Sequence, residues 1–284
     1  MMTPPRAPAA SRISLLVSDI DGTLINGNKE LTPATLAAAA KLREAGVRLC
    51  LVSSRSVRGM RMYLGPLGID TPSAGLNGGE IAGVDGAMLE LLSLNEQAAR
   101  LVVETLTLNH VETWLFTGGD WLIRDVAGPF VPRERKTVQF EPTPVPGFEG
   151  HYGRIGKIMG ASVDYPLLER MEIELGTMLG RQVNAHRSSP WYLDVTHPQA
   201  NKGHAAGRLA AMLGIDPSEV ACIGDMHNDI AMLSTAALGI AMGNAPDAVA
   251  EAAHFVTDTN ERDGWAQAVE ELILPRAPGT TGAR

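Results

Sequence analysis

Residues 13–24 read Ile-Ser-Leu-Leu-Val-Ser-Asp-Ile-Asp-Gly-Thr-Leu, an apolar run that ends in two aspartates, Asp19 and Asp21. An apolar run of this length that is rich in β-branched residues is typical of a buried strand, and Gly22 then interrupts it. Both carboxylates therefore fall at the carboxyl end of the strand, where open α/β sheets bind their ligands. Two acids in this position repel each other and are costly to desolvate, so the pattern indicates a nearby cation. The alternative is a polar Asp-Gly turn that simply follows a strand.

Two further apolar runs also end in polar residues. One ends at the Ser53 hydroxyl, and the other, in residues 220–229, ends in the acids Asp225 and Asp229. Lys202 lies between these two runs, at the beginning of a helix-like stretch. An acid pair, a hydroxyl, a lysine and an acid cluster thus follow one another, and three of the four lie at the ends of predicted strands.

The order and spacing of these four motifs resemble the haloacid dehalogenase superfamily of phosphatases, over about residues 13–273. The interval of 149 positions between Ser53 and Lys202 predicts an inserted module, which in this superfamily marks the type-two cap. The strings Asn-Gly-Gly at 77–79 and Ala-Met-Gly-Asn-Ala at 241–245 are similar to those of the Cof-like subfamily. The resemblance implies a magnesium-dependent phosphatase that acts on a small phosphorylated metabolite.

The pattern of elements predicts an α/β protein with a doubly wound parallel-sheet core, Rossmann-like, that is split by an inserted α+β cap domain. Strand and helix patterns alternate in residues 12–83 and 198–274, which we assign to the core. Residues 84–197 carry several short strands and two helical stretches, so we assign them to the cap. Residues 1–11 and 275–284 are expected to be flexible tails.

Local signals predict the ends of individual elements. Thr32 and Pro33 are the residue types preferred at the N-cap and first position of a helix, which we expect to end before Gly46. In the cap we expect helices over 95–109 and 165–180.

Hydrolysis of a phosphate monoester needs a nucleophile, a proton donor for the leaving alkoxide, a cation, and donors for the transferring oxygens. Asp19 fits the nucleophile, which gives an aspartyl-phosphate intermediate, and Asp21 fits the general acid and later the base. The superfamily assigns the same roles to its first and second acids. Ser53, Lys202 and Asn228 are the candidates that hold the phosphate and the rest of the substrate.

Mg²⁺ is the predicted cofactor, because it prefers carboxylate, carbonyl and water oxygens. We expect the Asp19 carboxylate, the Asp21 backbone carbonyl and the Asp225 carboxylate to bind it. Asp229 is expected to lie behind them, as a supporting acid or as a ligand through a water molecule.

One motif departs from the family, which usually shows Thr-Gly-Arg where this chain has Ser53, Ser54 and Arg55. The hydroxyl is retained, so contact of Ser53 with phosphate is still expected. The sequence leaves open whether Arg55, Asn77 and His227 have structural or functional roles, and the same holds for the aromatic residues of the cap.

Composition narrows the classes of function. The chain has 284 residues, 45% of them hydrophobic, and its net charge of −8 argues against a nucleic-acid surface. No apolar stretch is long enough to span a membrane. Cys50 and Cys222 fall in predicted buried strands, where reduced thiols fit a cytoplasmic protein. The predicted partner is therefore a small phosphorylated substrate, with no nucleic acid and no membrane, and both a monomer and a weak dimer are compatible with the sequence.

Two other functions stay open at this stage. A phosphomutase or phosphotransferase could use the same phospho-aspartate, although mutases of this superfamily generally carry other cap types. The second alternative is a non-catalytic module that binds a phosphorylated ligand, and the intact set of Asp19, Asp21, Lys202 and Asp225 argues against it.

Overall fold

The computed structural model describes residues 10–280. Its strands, in chain order, are β1 (Leu15–Ser18), β2 (Arg48–Leu51), β3 (Ser73–Gly75), β4 (Glu80–Ala82), β5 (Met88–Leu91), β6 (Glu112–Thr117), β7 (Asp120–Ile123), β8 (Thr143–Pro144), β9 (Lys157–Ala161), β10 (Asn184–Ser189), β11 (Tyr192–Thr196), β12 (Val220–Gly224), β13 (Leu238–Ala241) and β14 (Phe255–Val256).

The α-helices are α1 (Pro33–Glu44), α2 (Arg61–Leu67), α3 (Glu96–Leu108), α4 (Val131–Val138), α5 (Tyr165–Leu179), α6 (Lys202–Met212), α7 (Ile230–Thr235), α8 (Asp247–Ala252) and α9 (Gly264–Ala268). Short 3₁₀ and π turns join or extend several of them. Within residues 10–280, no helix combines the length and the apolar composition needed to cross a membrane.

Five parallel strands form the core sheet, in the order β14-β13-β12-β1-β2. The strand β1, which lies between β12 and β2, is buried on both faces, and this explains its apolar sequence. Leu16 packs into the hydrophobic cluster that includes α1 and α9, whereas Leu15 and Val17 pack into the cluster that includes α6, α7 and α8. Helices therefore cover both faces of a parallel sheet, and the predicted doubly wound core is confirmed.

A smaller antiparallel sheet extends the core beside β2. The strand β3 meets the end of β2 through one parallel bridge, Val52 to Ala74, and then pairs with β4, which pairs with β5. The strand β5 lies in the range 84–197 that the sequence assigned to the cap, but its pairing is with β4. We therefore propose that the insertion begins after Leu91, since hydrogen-bonded strands move as one unit, and that it ends where β11 ends.

The inserted cap is a six-stranded sheet in the order β10-β11-β9-β6-β7-β8, in which all pairs except β7 with β8 are antiparallel. Helices α3 and α5 cover one face, through a cluster that includes Leu106, Leu168 and Leu193. Because side chains alternate along a strand, Trp114, Trp121 and their neighbours form a second cluster on the opposite face. Leu76 of the core packs into this second cluster, so that face of the cap is turned toward the core.

Most local sequence signals mark helices that the structure contains, but the sequence did not predict helix α4. The Thr32 hydroxyl caps α1, and the helices predicted over 95–109 and 165–180 are α3 and α5 to within a residue or two. Helix α4 was not predicted, because its sequence VPRERKTV has too few apolar residues for a recognisable 3.6-residue pattern.

Parts of both predicted tails lie among the residues that the structure describes. Residues 1–9 and 281–284 lie outside the described residues. The Arg276 carbonyl accepts a hydrogen bond of 2.7 Å from the N–H of Ile13, just ahead of β1, and Ala277 is buried in the core. In the described residues, the segment after the last helix therefore packs against the core through the Ala277 methyl group, and the flexible tail stays a prediction for the rest.

The cap of α1 gives a test of stability. The Thr32 hydroxyl accepts a hydrogen bond of 3.1 Å from the N–H of Thr35 and donates one of 2.6 Å to Asp263. We expect Thr32→Ala to lower the free energy of unfolding in urea by about 1–2 kcal/mol, because an N–H of the first turn loses its acceptor. Thr177→Ala removes the same atoms from an exposed position of α5 and should change stability by less than about 0.5 kcal/mol. Equal effects of the two substitutions would contradict the capping role.

Candidate active site

The carboxyl ends of β1 and β12 bring the predicted acids together. Asp19 directly follows β1, Asp225 directly follows β12, and each of these residues and Asp229 offers a carboxylate oxygen within 4.8 Å of the other two. The Thr23 hydroxyl lies 3.2 Å from Asp19 Oδ2 and 3.1 Å from Asp225 Oδ1. All three acids are buried, with at most 5% of their surface exposed. The sequence prediction that these residues share one site thus agrees with the geometry.

Lys202 supplies the positive charge of this cluster. It is the first residue of α6, behind the N-cap Asn201, and its Nζ lies 2.6 Å from Asp19 Oδ1 and 2.7 Å from Asp229 Oδ1. Burial by itself would lower the pKa of Lys202, but the two carboxylates outweigh it and raise the pKa above its ordinary value. The lysine is therefore charged and only 2% exposed, which excludes the alternative of a solvated surface charge.

Asp229 holds the loop that presents Asp225. Its Oδ1 pairs with Lys202, and its Oδ2 accepts hydrogen bonds of 2.9 Å from the N–H groups of both Asp225 and Met226. Both oxygens of Asp229 therefore already have partners, and its supporting role beside a metal ion stays a prediction.

The cluster contains more carboxylates than positively charged groups. Burial raises the pKa of Asp19 well above its ordinary value, with Lys202 opposing this and Asp229 adding to it. Burial and then the neighbouring Asp229 likewise raise the pKa of Asp225 to about 6. Three buried carboxylates thus face one ammonium group, and their hard oxygen atoms are the donors that Mg²⁺ prefers. The side chains present therefore fit a divalent cation.

Gly22 and Asn244 shape the turn next to this cluster. Gly22 has φ +79°, and a Cβ atom built on it would lie 2.3 Å from Asp225 Oδ2, so a side chain here would displace that carboxylate. The Asn244 amide donates to the Gly22 carbonyl at 2.9 Å and to Asp225 Oδ2 at 3.1 Å. The sequence alone predicts no role for Asn244, because its partners Gly22 and Asp225 lie 222 and 19 positions away.

Asp21 is held separately, in an ion pair that the sequence did not reveal. Arg55 Nε and Nη2 each lie 2.7 Å from an oxygen of Asp21, and Lys29 Nζ lies 2.5 Å from Oδ1. Burial would raise the pKa of Asp21, but Arg55 and then Lys29 lower it to about 2. Arg55 Nη1 also donates to the carbonyl of Thr137 in cap helix α4 at 2.7 Å. One guanidinium group therefore joins the second acid of the motif to the cap.

The predicted substrate-contacting side chains form a neighbouring polar cluster. The Ser53 hydroxyl accepts a hydrogen bond from the N–H of Arg55 at 3.1 Å, and the Ser53 carbonyl accepts one from the N–H of Asn77 at 2.9 Å. The Asn228 amide donates to Asn77 Oδ1 at 2.9 Å. Asn77, whose role the sequence left open, is thus joined to Ser53 and Asn228, two of the three predicted substrate residues, whereas His227 is exposed.

Comparison with known proteins identifies the family. A model for haloacid dehalogenase-like hydrolases matches residues 16–269, which is most of the chain. The chain therefore belongs to this family, as the order of its motifs predicted.

Individual relatives align with most of the chain. The HMP-PP phosphatase of Citrobacter koseri is 30% identical over 249 residues, covering 85% of this chain and 88% of that protein. A 5-amino-6-(5-phospho-D-ribitylamino)uracil phosphatase of Bacillus subtilis is 26% identical over 265 residues, covering 92% and 96%. A haloacid dehalogenase-like hydrolase structure from Bacteroides thetaiotaomicron gives a TM-score of 0.85 at 28% identity, covering 92% of this chain and all of that one. The matches confirm the predicted enzyme class, a haloacid dehalogenase-type phosphoric monoester hydrolase.

The buried lysine gives a test of this arrangement. Lys202→Met leaves the carboxylates of Asp19 and Asp229 buried without their counter-charge, so we expect the free energy of unfolding in urea to fall by about 3–5 kcal/mol. The exposed ion pair of Lys41 with Glu270 provides the control, since Lys41→Met should cost less than about 1 kcal/mol. Similar small losses in both variants would show that the lysine is not needed to hold the acids together.

Proposed function

We propose that this chain is a Mg²⁺-dependent phosphatase that hydrolyses a small phosphorylated metabolite through an aspartyl-phosphate on Asp19. The observation that carries the proposal is the buried cluster in which Asp19 lies 2.6 Å from Lys202 and next to Asp225, at the carboxyl end of β1. A carboxylate in such a position can attack phosphorus, and the lysine can neutralise both this carboxylate and the incoming phosphate oxygens.

In the proposed reaction, an Asp19 oxygen attacks phosphorus and the leaving alkoxide takes a proton from Asp21. Water then attacks the aspartyl-phosphate, and Asp21 accepts its proton. Arg55 and Lys29 keep Asp21 ionised in the present arrangement, which suits the second step. For the first step, these contacts must loosen so that Asp21 can carry a proton.

Phosphate binding is proposed for Ser53, Lys202 and Asn228. Lys202 is already placed beside Asp19, and the hydrogen bond of Asn228 to Asn77 orients its amide close to the Ser53 loop. The hydroxyl and amide groups supply neutral donors, so they can orient phosphate oxygens while the lysine provides the charge.

The residues that would hold Mg²⁺ are the carboxylates of Asp19 and Asp225 and the backbone carbonyl of Asp21. The ion would supply the positive charge that lets an anionic nucleophile approach an anionic phosphate. Asp229 and Asn244 would keep Asp225 in place through the hydrogen bonds described above.

The class of substrate is supported by the fold and by the relatives. The cap contacts the catalytic loops through Arg55, which donates to the Thr137 carbonyl, and through Lys157, whose Nζ donates to the Ser54 carbonyl at 3.1 Å. A cap in this position favours small substrates over macromolecules. The named relatives are phosphatases of HMP-PP and of a phosphoribityl compound, which are also small molecules. We propose neither a nucleic-acid nor a membrane partner, and the cytoplasmic location stays a prediction.

The first test of the proposed function is removal of divalent cations. Hydrolysis of p-nitrophenyl phosphate should be lost in excess EDTA and return when Mg²⁺ exceeds the chelator, because the three acids need a counter-charge beside a phosphate dianion. Circular dichroism in EDTA serves as the control that the protein stays folded. Full activity after exhaustive removal of divalent cations would contradict this part of the proposal.

The second test separates the two acids of the first motif. Asp19→Asn should abolish turnover and leave no phosphorylated protein after a rapid acid quench, because the attacking carboxylate is gone. Asp21→Asn should slow hydrolysis of an alkyl phosphate by about 10²–10⁴-fold and that of p-nitrophenyl phosphate much less, since nitrophenolate hardly needs a proton. Asp70→Asn, at an exposed acid, is the control. Phosphorylated Asp19→Asn protein, or an equal defect of Asp21→Asn on both substrates, would overturn the assigned roles.

A further inference from the structure

A cavity of about 220 Å³ lies where the core and the cap meet, apart from the cluster of acids. Its walls come from α2 and the preceding turn, from strands β3–β5 of the core, and from the turn between β6 and β7 of the cap. None of the residues assigned above to the nucleophile, the proton donor, the metal or the phosphate lines it. We call this cavity, whose lining includes Arg58, Arg61, Ser73, Met88 and Gly119, the junction pocket.

The Ser73 hydroxyl marks the buried floor of the junction pocket. Ser73 is opposite Ala82 in the pairing of β3 with β4, so both side chains lie on the same face of the sheet, where Ala82 packs in one cluster with Leu64 of α2. Ser73 is only 4% exposed, and within residues 10–280 its hydroxyl has no hydrogen-bond partner. Since native proteins pair nearly all buried polar atoms, this hydroxyl indicates a missing ligand group.

Two arginines supply positive charge at the exposed side of the pocket. Arg61 Nη2 lies 3.5 Å from the Asp85 carbonyl, and a Cβ atom built on Gly86, which has φ +87°, would lie 2.8 Å from Arg61 Nη1. The glycine therefore leaves room for the guanidinium group beside the turn. Arg58 Nη1 lies 3.8 Å from Asp120 Oδ1, and both side chains of this loose pair are about half exposed. Because a guanidinium group has five N–H donors, both arginines keep donors for a ligand.

Charge and shape together define what the junction pocket can bind. Its two guanidinium groups outnumber its single carboxylate, that of Asp120, so it favours an anion. Its remaining side chains are mostly apolar: Val57, Leu64, Ala82 and Met88. An apolar cavity of about 150 Å³ holds one benzene molecule, so the larger junction pocket has room for a ring with small substituents.

We propose that the junction pocket binds a small hydroxylated aromatic carboxylate. Its carboxylate would contact Arg58 and Arg61, its ring would pack between the apolar walls, and its hydroxyl would pair with Ser73 at the floor. The inference does not depend on the phosphatase function, because no residue of the proposed reaction lines the pocket. Since the walls come from both domains, the bound ligand also restrains the cap against the core.

The first test is calorimetric titration with 4-hydroxybenzoate in the presence of Mg²⁺. We expect the wild-type chain to bind this probe with a Kd of about 1 mM or tighter, and to bind its neutral amide at least about tenfold more weakly. Arg61→Met should weaken binding of the carboxylate by a similar factor. Arg100→Met is the matched control, since Arg100 lies on α3, on the opposite face of the cap sheet, and it should leave the Kd unchanged.

The second test examines the floor of the pocket with a substitution that cannot break an existing hydrogen bond. Ser73→Ala removes an unpaired hydroxyl, so the melting temperature should not fall. It should weaken binding of 4-hydroxybenzoate about fivefold, and it should leave binding of benzoate, which lacks the hydroxyl, unchanged. Equal effects of Ser73→Ala on the two compounds would overturn the assigned orientation of the ligand.

Hydrogen exchange of the wild-type chain locates the probe without any substitution. With 4-hydroxybenzoate bound, peptides that cover residues 57–64, 82–88 and 117–121 should exchange more slowly, because the pocket joins the core to the cap turn. Protection confined to peptides that cover residues 19–23 and 225–229 would place the probe at the acid cluster instead. That result, an absence of measurable binding, or equal Kd values for Arg61→Met and the wild-type chain would each overturn the proposal.

Discussion

The buried ammonium group of Lys202 joins the two halves of the core that the inserted cap separates along the chain. One of its partners, Asp19, follows the first strand, and the other, Asp229, lies beyond β12 in the second half. With its four-carbon stem inside the core, Lys202 holds three acids in one place that would otherwise repel one another. The register of β1 against β12 and the position of α6 both serve this contact, since a shift of either would separate the charges.

Two buried cationic side chains also link the cap to the catalytic loops. Arg55 binds Asp21 through two nitrogen atoms and the cap helix α4 through a third, and Lys157 reaches from the cap to the Ser54 carbonyl. Both cations come from buried positions and leave few free donors for other groups. Arg55 therefore connects cap helix α4 directly to Asp21, the proposed proton donor.

Much of the core could be predicted because its signals are local. Asp19 and Asp225 each directly follow a buried apolar run, and parallel strands bring their carboxyl ends to one edge of a sheet. Thr32, Asn95 and Asp164 cap helices within four residues of their acceptor sites, so their neighbours in the sequence are sufficient to recognise them. For the boundary predicted at residue 84 we propose a later position, since the pairing of β5 with β4 has no local signature in the sequence.

Other features depended on contacts between distant positions. Lys29 and Arg55 lie 8 and 34 positions from Asp21, and although Arg55 belongs to a motif, no local signal predicts that either cation pairs with Asp21. Asn244 and Asn77 likewise acquire their roles from partners more than 150 positions away. Helix α4 forms without a clear apolar stripe, because packing of a few residues on the cap sheet stabilises it.

By itself, the sequence determined the class of protein and the split α/β core with its inserted cap, and it predicted the acids, hydroxyl and lysine of the proposed site. These follow from short motifs at the ends of strands, whose order the chain preserves. Only the tertiary structure decided that Lys202 lies between Asp19 and Asp229, that Arg55 holds Asp21 against the cap, and that a cavity forms where the core and the cap meet. The reason is that charge pairing and burial depend on distances in space, which the linear order of residues does not contain.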